Sequence, residues 1–186
     1  MLTPSDEHNR LVEGGWYLRY LQDSSWKDVE QMKAIQAILK AEFVTKKTYR
    51  GMFIYGNIGV GKTSLLNLIS RYLVRNFEGW LLYMPATVLF TKLIKGSDQE
   101  LSDIQKCTFL FIDDLGKEYD TDFPLSRFSE LIEYRWANMK PTFFSSNLDM
   151  ETIRKKVGYE HIADRMNDSN WMIHHFYAGK TKRKRK

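Results

Sequence analysis

Two hydrophobic spacings share this chain. Val29, Met32, Ile35, Ile38 and Leu39 recur at helical intervals and predict a helix from Trp26 to about Phe43, with Ser24 or Ser25 as its cap and Asp28 and Glu30 in its first turns. From Gly51 onward, short apolar runs take turns with helical stretches. MFIY (52–55), WLLYM (80–84), CTFLFI (107–112), TFFSS (142–146) and WMIHHF (171–176) read as strands. Helices are expected over 63–77, over 86–95 behind Pro85, over 126–139, and as short pieces around 150–166. Ser126 is the expected cap of the 126–139 helix, whose apolar face carries Phe128, Leu131, Ile132, Trp136 and Met139. Residues 1–25 read as a polar start, followed by WYLRYL as a short aromatic helix after the Gly14-Gly15 break. Strands separated by helices imply βαβ units. The expectation is therefore an α/β three-layer sandwich with a mainly parallel five-stranded sheet and helices on both faces.

Composition narrows the class. With 43% hydrophobic and 14% aromatic residues in 186, the chain can bury a core as one medium domain. Its single cysteine, Cys107, cannot make an internal disulfide, which fits a reducing, cytoplasmic setting. No apolar run approaches the roughly 18–20 residues that span a bilayer, so no membrane partner is expected, and MLTPSDEHNR is too polar for a signal peptide. The net charge of +5 is concentrated at one end. Six positive residues lie in KTKRKRK (180–186), and setting them aside leaves 22 lysines and arginines against 23 aspartates and glutamates. That tail is either a contact for DNA phosphates or a solvated charge run.

The chemistry begins with FLFIDDLGKE (109–118), a greasy strand that ends in Asp113 and Asp114. Two adjacent carboxylates at a buried strand end are costly unless something positive comes to that edge. GNIGVGKT, from Gly56 to Thr63, supplies the reason. It matches G-x-x-x-x-G-K-[ST], follows a strand and opens a helix, which is the phosphate-binding P-loop context. Gly56, Gly59 and Gly61 let successive backbone N–H groups, through Asn57, Ile58, Val60 and on to Ser64, curl around phosphates at a helix N-terminus. Lys62 is expected to reach the β/γ-phosphates of ATP and the Thr63 hydroxyl to ligate Mg²⁺. Asp113, on a strand expected to lie beside the P-loop strand, would hold the Mg²⁺ hydration shell.

Three more residues fit hydrolysis, each with a plainer alternative. Asp114 can orient or deprotonate the attacking water, or be a solvated loop acid or helix cap. Asn147, just past the fourth strand, can sense the γ-phosphate, or simply form a turn. Arg165 in ADRMND can be an arginine finger offered to a neighbouring subunit, or pair locally with Asp164 or Asp168.

With these residues in hand, the chain resembles the DnaC/DnaI-type helicase loaders and the related IstB-like transposition ATPases, a branch of the AAA+ superfamily. GMFIYGNIGVGKTSLL looks like the Walker A segment and FLFIDDLGKE like the Walker B segment of the DnaI side. IEYRWANMKPTFFSSNLDMETI is similar to the block carrying the sensor asparagine, here Asn147, and HIADRM to the box with the finger arginine, here Arg165. GKTKR resembles the closing Gly-x-x-x-Arg. Members borne by phages or mobile elements fit the same resemblance. It implies a P-loop AAA+ fold of ASCE type without a C-terminal helical lid. It also implies a Mg²⁺-dependent ATPase that loads a hexameric replicative helicase onto single-stranded DNA, acting as an ATP-dependent homo-oligomer. Most relatives carry Glu where this chain has Asp114, so turnover is expected to be slow and partner- or DNA-stimulated.

The expected organisation is a short helical extension over 1–48, an ATPase core over 49–178 and a basic tail over 179–186. The extension is shorter than the helicase-gripping domain of most loaders and has no Cys/His cluster for zinc. Its Trp16, Tyr17, Tyr20 and Trp26 either anchor a partner or pack on the core. The shortness keeps open an IstB-like helper working with a transposase. A small P-loop kinase is a further alternative, but 150–170 holds only Arg154 and Arg165 for the arginine-rich lid such enzymes need. A nucleotide-gated adaptor that hardly turns over is the last.

Overall fold

The computed structural model describes residues 4–16, 29–116, 122–156 and 158–177. The WYLRYL segment beyond Trp16, the Ser24/Ser25 cap, Trp26 and the basic tail lie outside the described residues. The elements run α1 (Pro4–Glu13), α2 (Val29–Leu39) continuing as a π-helical turn (Lys40–Thr45), β1 (Gly51–Tyr55), α3 (Lys62–Asn76) and β2 (Leu81–Pro85). Next come α4 (Ala86–Lys95), α5 (Asp98–Lys106), β3 (Phe109–Leu115), α6 (Asp122–Ala137), β4 (Thr142–Ser146), α7 (Met150–Arg154), α8 (Glu160–Met166) and β5 (Met172–Phe176).

The strands form one sheet in the order β2-β3-β4-β1-β5, and every recorded pairing is parallel. Side chains alternate across it with the period of two that a strand imposes. Met52 and Ile54 of β1, Phe109 and Phe111 of β3, and Phe143 of β4 join Ile35, Leu39, Leu65 and Ile69 from α2 and α3. Their neighbours Phe53, Leu110, Ile112 and Phe144 project the other way, onto Leu89, Phe90, Phe128 and Ile132 from α4 and α6. A helix layer thus covers each face, as expected for a three-layer α/β sandwich.

Several local expectations change. Two helices escaped the periodicity reading. The first, α1, buries Leu11 and is anchored by Arg10, which donates to the carbonyls of Val74 (3.0 Å) and Gly79 (2.6 Å). The second, α5, starts at a capping box: Ser97 accepts from the Glu100 N–H at 3.2 Å, and Glu100 accepts from the Ser97 N–H at 3.1 Å. Ser126 is no cap, because α6 already begins at Asp122. Met139 leaves the apolar face altogether. The helix ends at Ala137, and Met139 sits 45% exposed in a turn with φ 48°. Nor does β3 lie beside the P-loop strand. β4 runs between β1 and β3, and its Ser145 and Ser146 are small enough to be fully buried there.

Buried charges are matched locally. Arg135 of α6 is completely buried, and its guanidinium donates to the carbonyls of Gln105, Cys107 and Pro141 at 2.8–3.0 Å and to Thr142 Oγ1 at 2.7 Å. Burial pulls its pKa down and pushes that of the Cys107 thiol up. Among the described residues, no helix is long and apolar enough to cross a membrane.

Candidate nucleotide-binding site

The C-terminal ends of β1, β4 and β3 lie side by side, and each delivers one part of the site. After β1 the chain turns through Gly56, Gly59 and Gly61, whose φ angles of 151°, 80° and 110° suit only glycine comfortably. Gly56 is constrained from outside as well, since a Cβ there would meet the Tyr177 carbonyl oxygen at 2.6 Å. Gly61 then caps α3 without a side chain, so no side-chain acceptor competes for the first N–H groups of that helix. Within the turn Val60 is buried, whereas Asn57 is exposed and Ile58 is 60% exposed; Ser64 faces solvent on the first turn of α3.

Lys62 is 95% buried, with relative exposure of only 5%, and reaches back over the loop. Its Nζ donates to the carbonyls of Gly56 and Asn57 and to Oδ1 of Asn147, each at 2.8 Å. Asn147, immediately after β4, is therefore brought onto the P-loop lysine.

Thr63 and Asp113 also meet. The Thr63 hydroxyl donates to Oδ2 of Asp113 at 2.8 Å, and the same oxygen accepts from the Tyr83 hydroxyl at 3.0 Å. Oδ1 accepts a hydrogen bond from the Ser145 hydroxyl. Three hydroxyls from α3, β2 and β4 thus hold a buried carboxylate. Burial nevertheless raises the Asp113 pKa; the Ser145 and Thr63 hydrogen bonds oppose that shift, and the charge of Asp114 adds to it. A carboxylate so placed gains from a cation at its edge. Alcohol and carboxylate oxygens suit a hard divalent ion such as Mg²⁺, which takes one or two protein ligands and completes its shell with phosphates and water.

Asp114 departs from regular strand geometry. β3 continues through both acids to Leu115, not stopping at residue 112, but its register with β4 shifts between Ile112 and Leu115. Asp114 adopts φ 60°, a left-handed conformation that Asp tolerates better than most residues, and its N–H donates to Ser145 Oγ at 3.0 Å. The bulge sets the two acids apart: Asp113 is buried, Asp114 half-buried.

Arg165 is half-buried on α8, and its local partner is neither Asp164 nor Asp168. Its Nε pairs with Glu133 of α6 at 2.6 Å, and its guanidinium lies 4.3 Å from the centre of the Trp136 ring. Asp164 pairs instead with Arg154, and Asp168 accepts from Trp136 Nε1 at 2.7 Å. Helical spacing puts Glu133 and Trp136 on one face of α6, which α8 crosses. Arg165 also borders an open groove of about 510 Å³ with Leu125, Ser126, Glu133, Gly158 and His161.

Sequence reading missed Tyr83, Ser145 and Tyr177. Ser145 stands in the quoted TFFSS run, but its role depends on β4 lying next to β3. Tyr83 sits on the edge strand, thirty residues from Asp113, with no motif to mark it. Tyr177, buried just past β5, packs its ring 3.9 Å from where a Gly61 Cβ would be.

A five-stranded parallel sheet of this order, with a P-loop after β1 and paired acids on β3, defines a P-loop ATPase of the AAA+ class. Comparison with known proteins narrows this. Residues 23–133 match the family model of the bacterial DnaA ATPase domain. The replicative helicase loader DnaI of Bacillus subtilis (strain 168) is 27% identical over 118 residues, 59% of this chain and 37% of that protein. The phage-like element PBSX protein XkdC of the same strain is 33% identical over 106 residues, 53% of this chain and 40% of that one. A crystal structure of DnaI superposes with a TM-score of 0.69 at 29% identity, covering 88% of this chain and 89% of that one. The chain belongs to the bacterial DnaA ATPase-domain family and, among AAA+ ATPases, is of the DnaC/DnaI type. It spans about two fifths of the length of these two curated relatives.

Proposed function

We propose that this chain binds ATP with Mg²⁺, hydrolyses it slowly, and uses that cycle to load a replicative helicase onto single-stranded DNA. The observation that carries the reading is the joining of Lys62 to Asn147 and of Thr63 to Asp113, each at 2.8 Å, around one P-loop. Backbone N–H groups from Gly56 to Ser64 receive the phosphates, and the Lys62 ammonium exchanges carbonyl partners for a more strongly accepting phosphate oxygen. Thr63 and Asp113 would hold the Mg²⁺, which would supply positive charge against the phosphates of the nucleotide. Asp114 takes the proton of the water that attacks the γ-phosphorus, and ADP leaves. Asn147 orients that water while staying in contact with Lys62. Arg165 acts on the nucleotide of a neighbouring copy, leaving Glu133 to do so. The loading role is supported by the likeness to DnaI, a replicative helicase loader, together with the shared fold. DNA contact through Lys180, Lys182, Arg183, Lys184, Arg185 and Lys186 belongs to the same reading.

The test is co-elution on a sizing column of this protein with the replicative helicase of its own cell or host, with and without ATP–Mg²⁺, and Lys62→Ala as control. A complex that needs both nucleotide and Lys62 is the expected result. Two well-folded proteins that elute apart under all conditions would remove the helicase from the proposal.

A further inference from the structure

The metal-side acid is tied to the N-terminal segment by a route that the ATPase motifs do not include. Tyr83 and Pro85 lie on one face of β2, and Pro85 pairs with Asp113, so the Tyr83 side chain lies one step behind that acid on the same face of the sheet. From there its hydroxyl reaches Oδ2 of Asp113 at 3.0 Å, the oxygen that also accepts from Thr63. The Tyr83 ring is in turn covered by Trp16, stacked at 3.8 Å between centroids with 18° between planes. Both rings are buried, Trp16 at 3% exposure and Tyr83 at 4%, and Trp16 also meets Phe111 edge-on.

The backbone is built for this contact. β2 is an edge strand, and the Gly14 carbonyl takes the Tyr83 N–H at 2.6 Å, closing part of that edge. A Cβ on Gly14 would lie 2.7 Å from the Leu81 carbonyl oxygen, and one on Gly15 2.6 Å from that of Tyr83. Gly15 also has φ 92°. Only a pair of glycines lets the chain approach β2 closely enough to lay Trp16 flat on Tyr83.

We propose that Tyr83 is a positioning residue for Asp113 and that Trp16 holds it in place, so that the N-terminal segment sets how the acid receives its divalent cation. The inference rests on the reading of Asp113 as the Mg²⁺-side acid. With Oδ1 fixed by Ser145 and Oδ2 by Thr63 and Tyr83, the carboxylate plane has one orientation. Without the tyrosine hydroxyl, Oδ2 keeps only Thr63, the residue that must also serve the cation. Groups that orient a metal ligand in this way are worth about 10–100-fold in metal affinity or activity when lost.

The test follows binding of a fluorescent, non-hydrolysable ATP analogue to the full chain, first in EDTA and then across a Mg²⁺ titration. Tyr83→Phe is expected to raise the Mg²⁺ concentration for half-maximal effect about tenfold. Affinity in EDTA stays as in wild type, because the phosphates are held by the P-loop. Trp16→Ala is expected to shift the Mg²⁺ midpoint the same way, Trp16→Phe to restore it, and Trp16→Ala to add nothing in the Tyr83→Phe background. Trp16→Leu, which keeps apolar volume but not the flat ring, reads the same coupling if Trp16→Ala does not fold. A wild-type Mg²⁺ midpoint in Tyr83→Phe overturns the proposal, as do fully additive effects of the two residues. Failure of the wild-type protein to bind the analogue at all would instead overturn the ATP reading beneath it.

Discussion

The Lys62 ammonium and Oδ1 of Asn147 are 2.8 Å apart, so a hydrogen bond joins the P-loop to the end of β4. A change at the phosphates that moves Lys62 must therefore be felt at Asn147. Asn147→Ala should leave nucleotide affinity near the wild-type value, since it leaves in place the backbone carbonyls of Gly56 and Asn57 to which Lys62 also donates. It should lower turnover about tenfold or more, the loss expected when one positioned polar group is removed from a charge-developing step. Steady-state kinetics beside equilibrium binding separates the two effects; equal losses in both would make Asn147 a support for Lys62 only.

Asp114 offers a cleaner substitution than most acids. Asn shares its tolerance of φ 60°, so Asp114→Asn keeps the bulge and the bond from the Asp114 N–H to Ser145 while removing the base. ATP binding and melting temperature should hold, and hydrolysis should fall about 100-fold. Undiminished turnover would take Asp114 out of the chemistry.

Arg165 is engaged with Glu133 and Trp136 within its own chain, and its pKa is raised by the hydrogen bond to Glu133. The pair lies at the surface, where ion pairs add little to stability. Arg165→Ala should leave the melting temperature of the isolated chain almost unchanged and lower hydrolysis about 1,000-fold in the assembled state alone. Glu133→Gln, which loosens the intrachain pair, should raise hydrolysis by the assembly. A large loss of thermal stability in Arg165→Ala would assign the arginine to holding α8 on α6.

The junction between α2 and β1 predicts an acid limb in stability. Glu42 is buried and bound by Arg50 through two bonds, Nε to Oε2 at 2.7 Å and Nη2 to Oε1 at 2.6 Å, while Arg50 also donates to the Ser169 carbonyl at 2.8 Å. The Arg50 hydrogen bonds, less the opposing effect of burial, lower the Glu42 pKa from 4.5 to about 2. A carboxyl depressed in the folded state stabilises fully above its unfolded pKa. That contribution, on the order of 3 kcal/mol, is lost as pH falls from about 4.5 toward 2. Urea titrations across that range should show the decline in wild type and a flatter profile in Glu42→Gln; parallel profiles would show that the pair is not the acid-sensitive element.

The features legible in the sequence are those that sit contiguously in the chain. The P-loop occupies eight successive residues from Gly56 to Thr63, and its backbone geometry is local, so motif and site coincide. Strand runs and the α3, α4 and α6 patterns survive because alternation and helical spacing are local consequences of burial on one face. Asp113 was legible for the same reason, as the end of a greasy run. The helix α1 and the capped α5 were missed because their sequences are mostly polar and bury few side chains.

Tertiary structure decided everything that depends on which strand lies next to which. β4 between β1 and β3 places Ser145 on Asp113 and Asn147 on Lys62, contacts across 32 and 85 residues. The bulge at Asp113 and Asp114 follows from the shifted pairing with β4, and no property of either acid announces it. Glu133 became the partner of Arg165 because α6 and α8 cross there, while the nearer acids Asp164 and Asp168 were taken by Arg154 and Trp136. Trp16 reached Tyr83 only because a free sheet edge and two glycines let one backbone lie against another. Side-chain chemistry names the candidates; the order of strands, set by burying both faces of the sheet at once, chooses which of them meet.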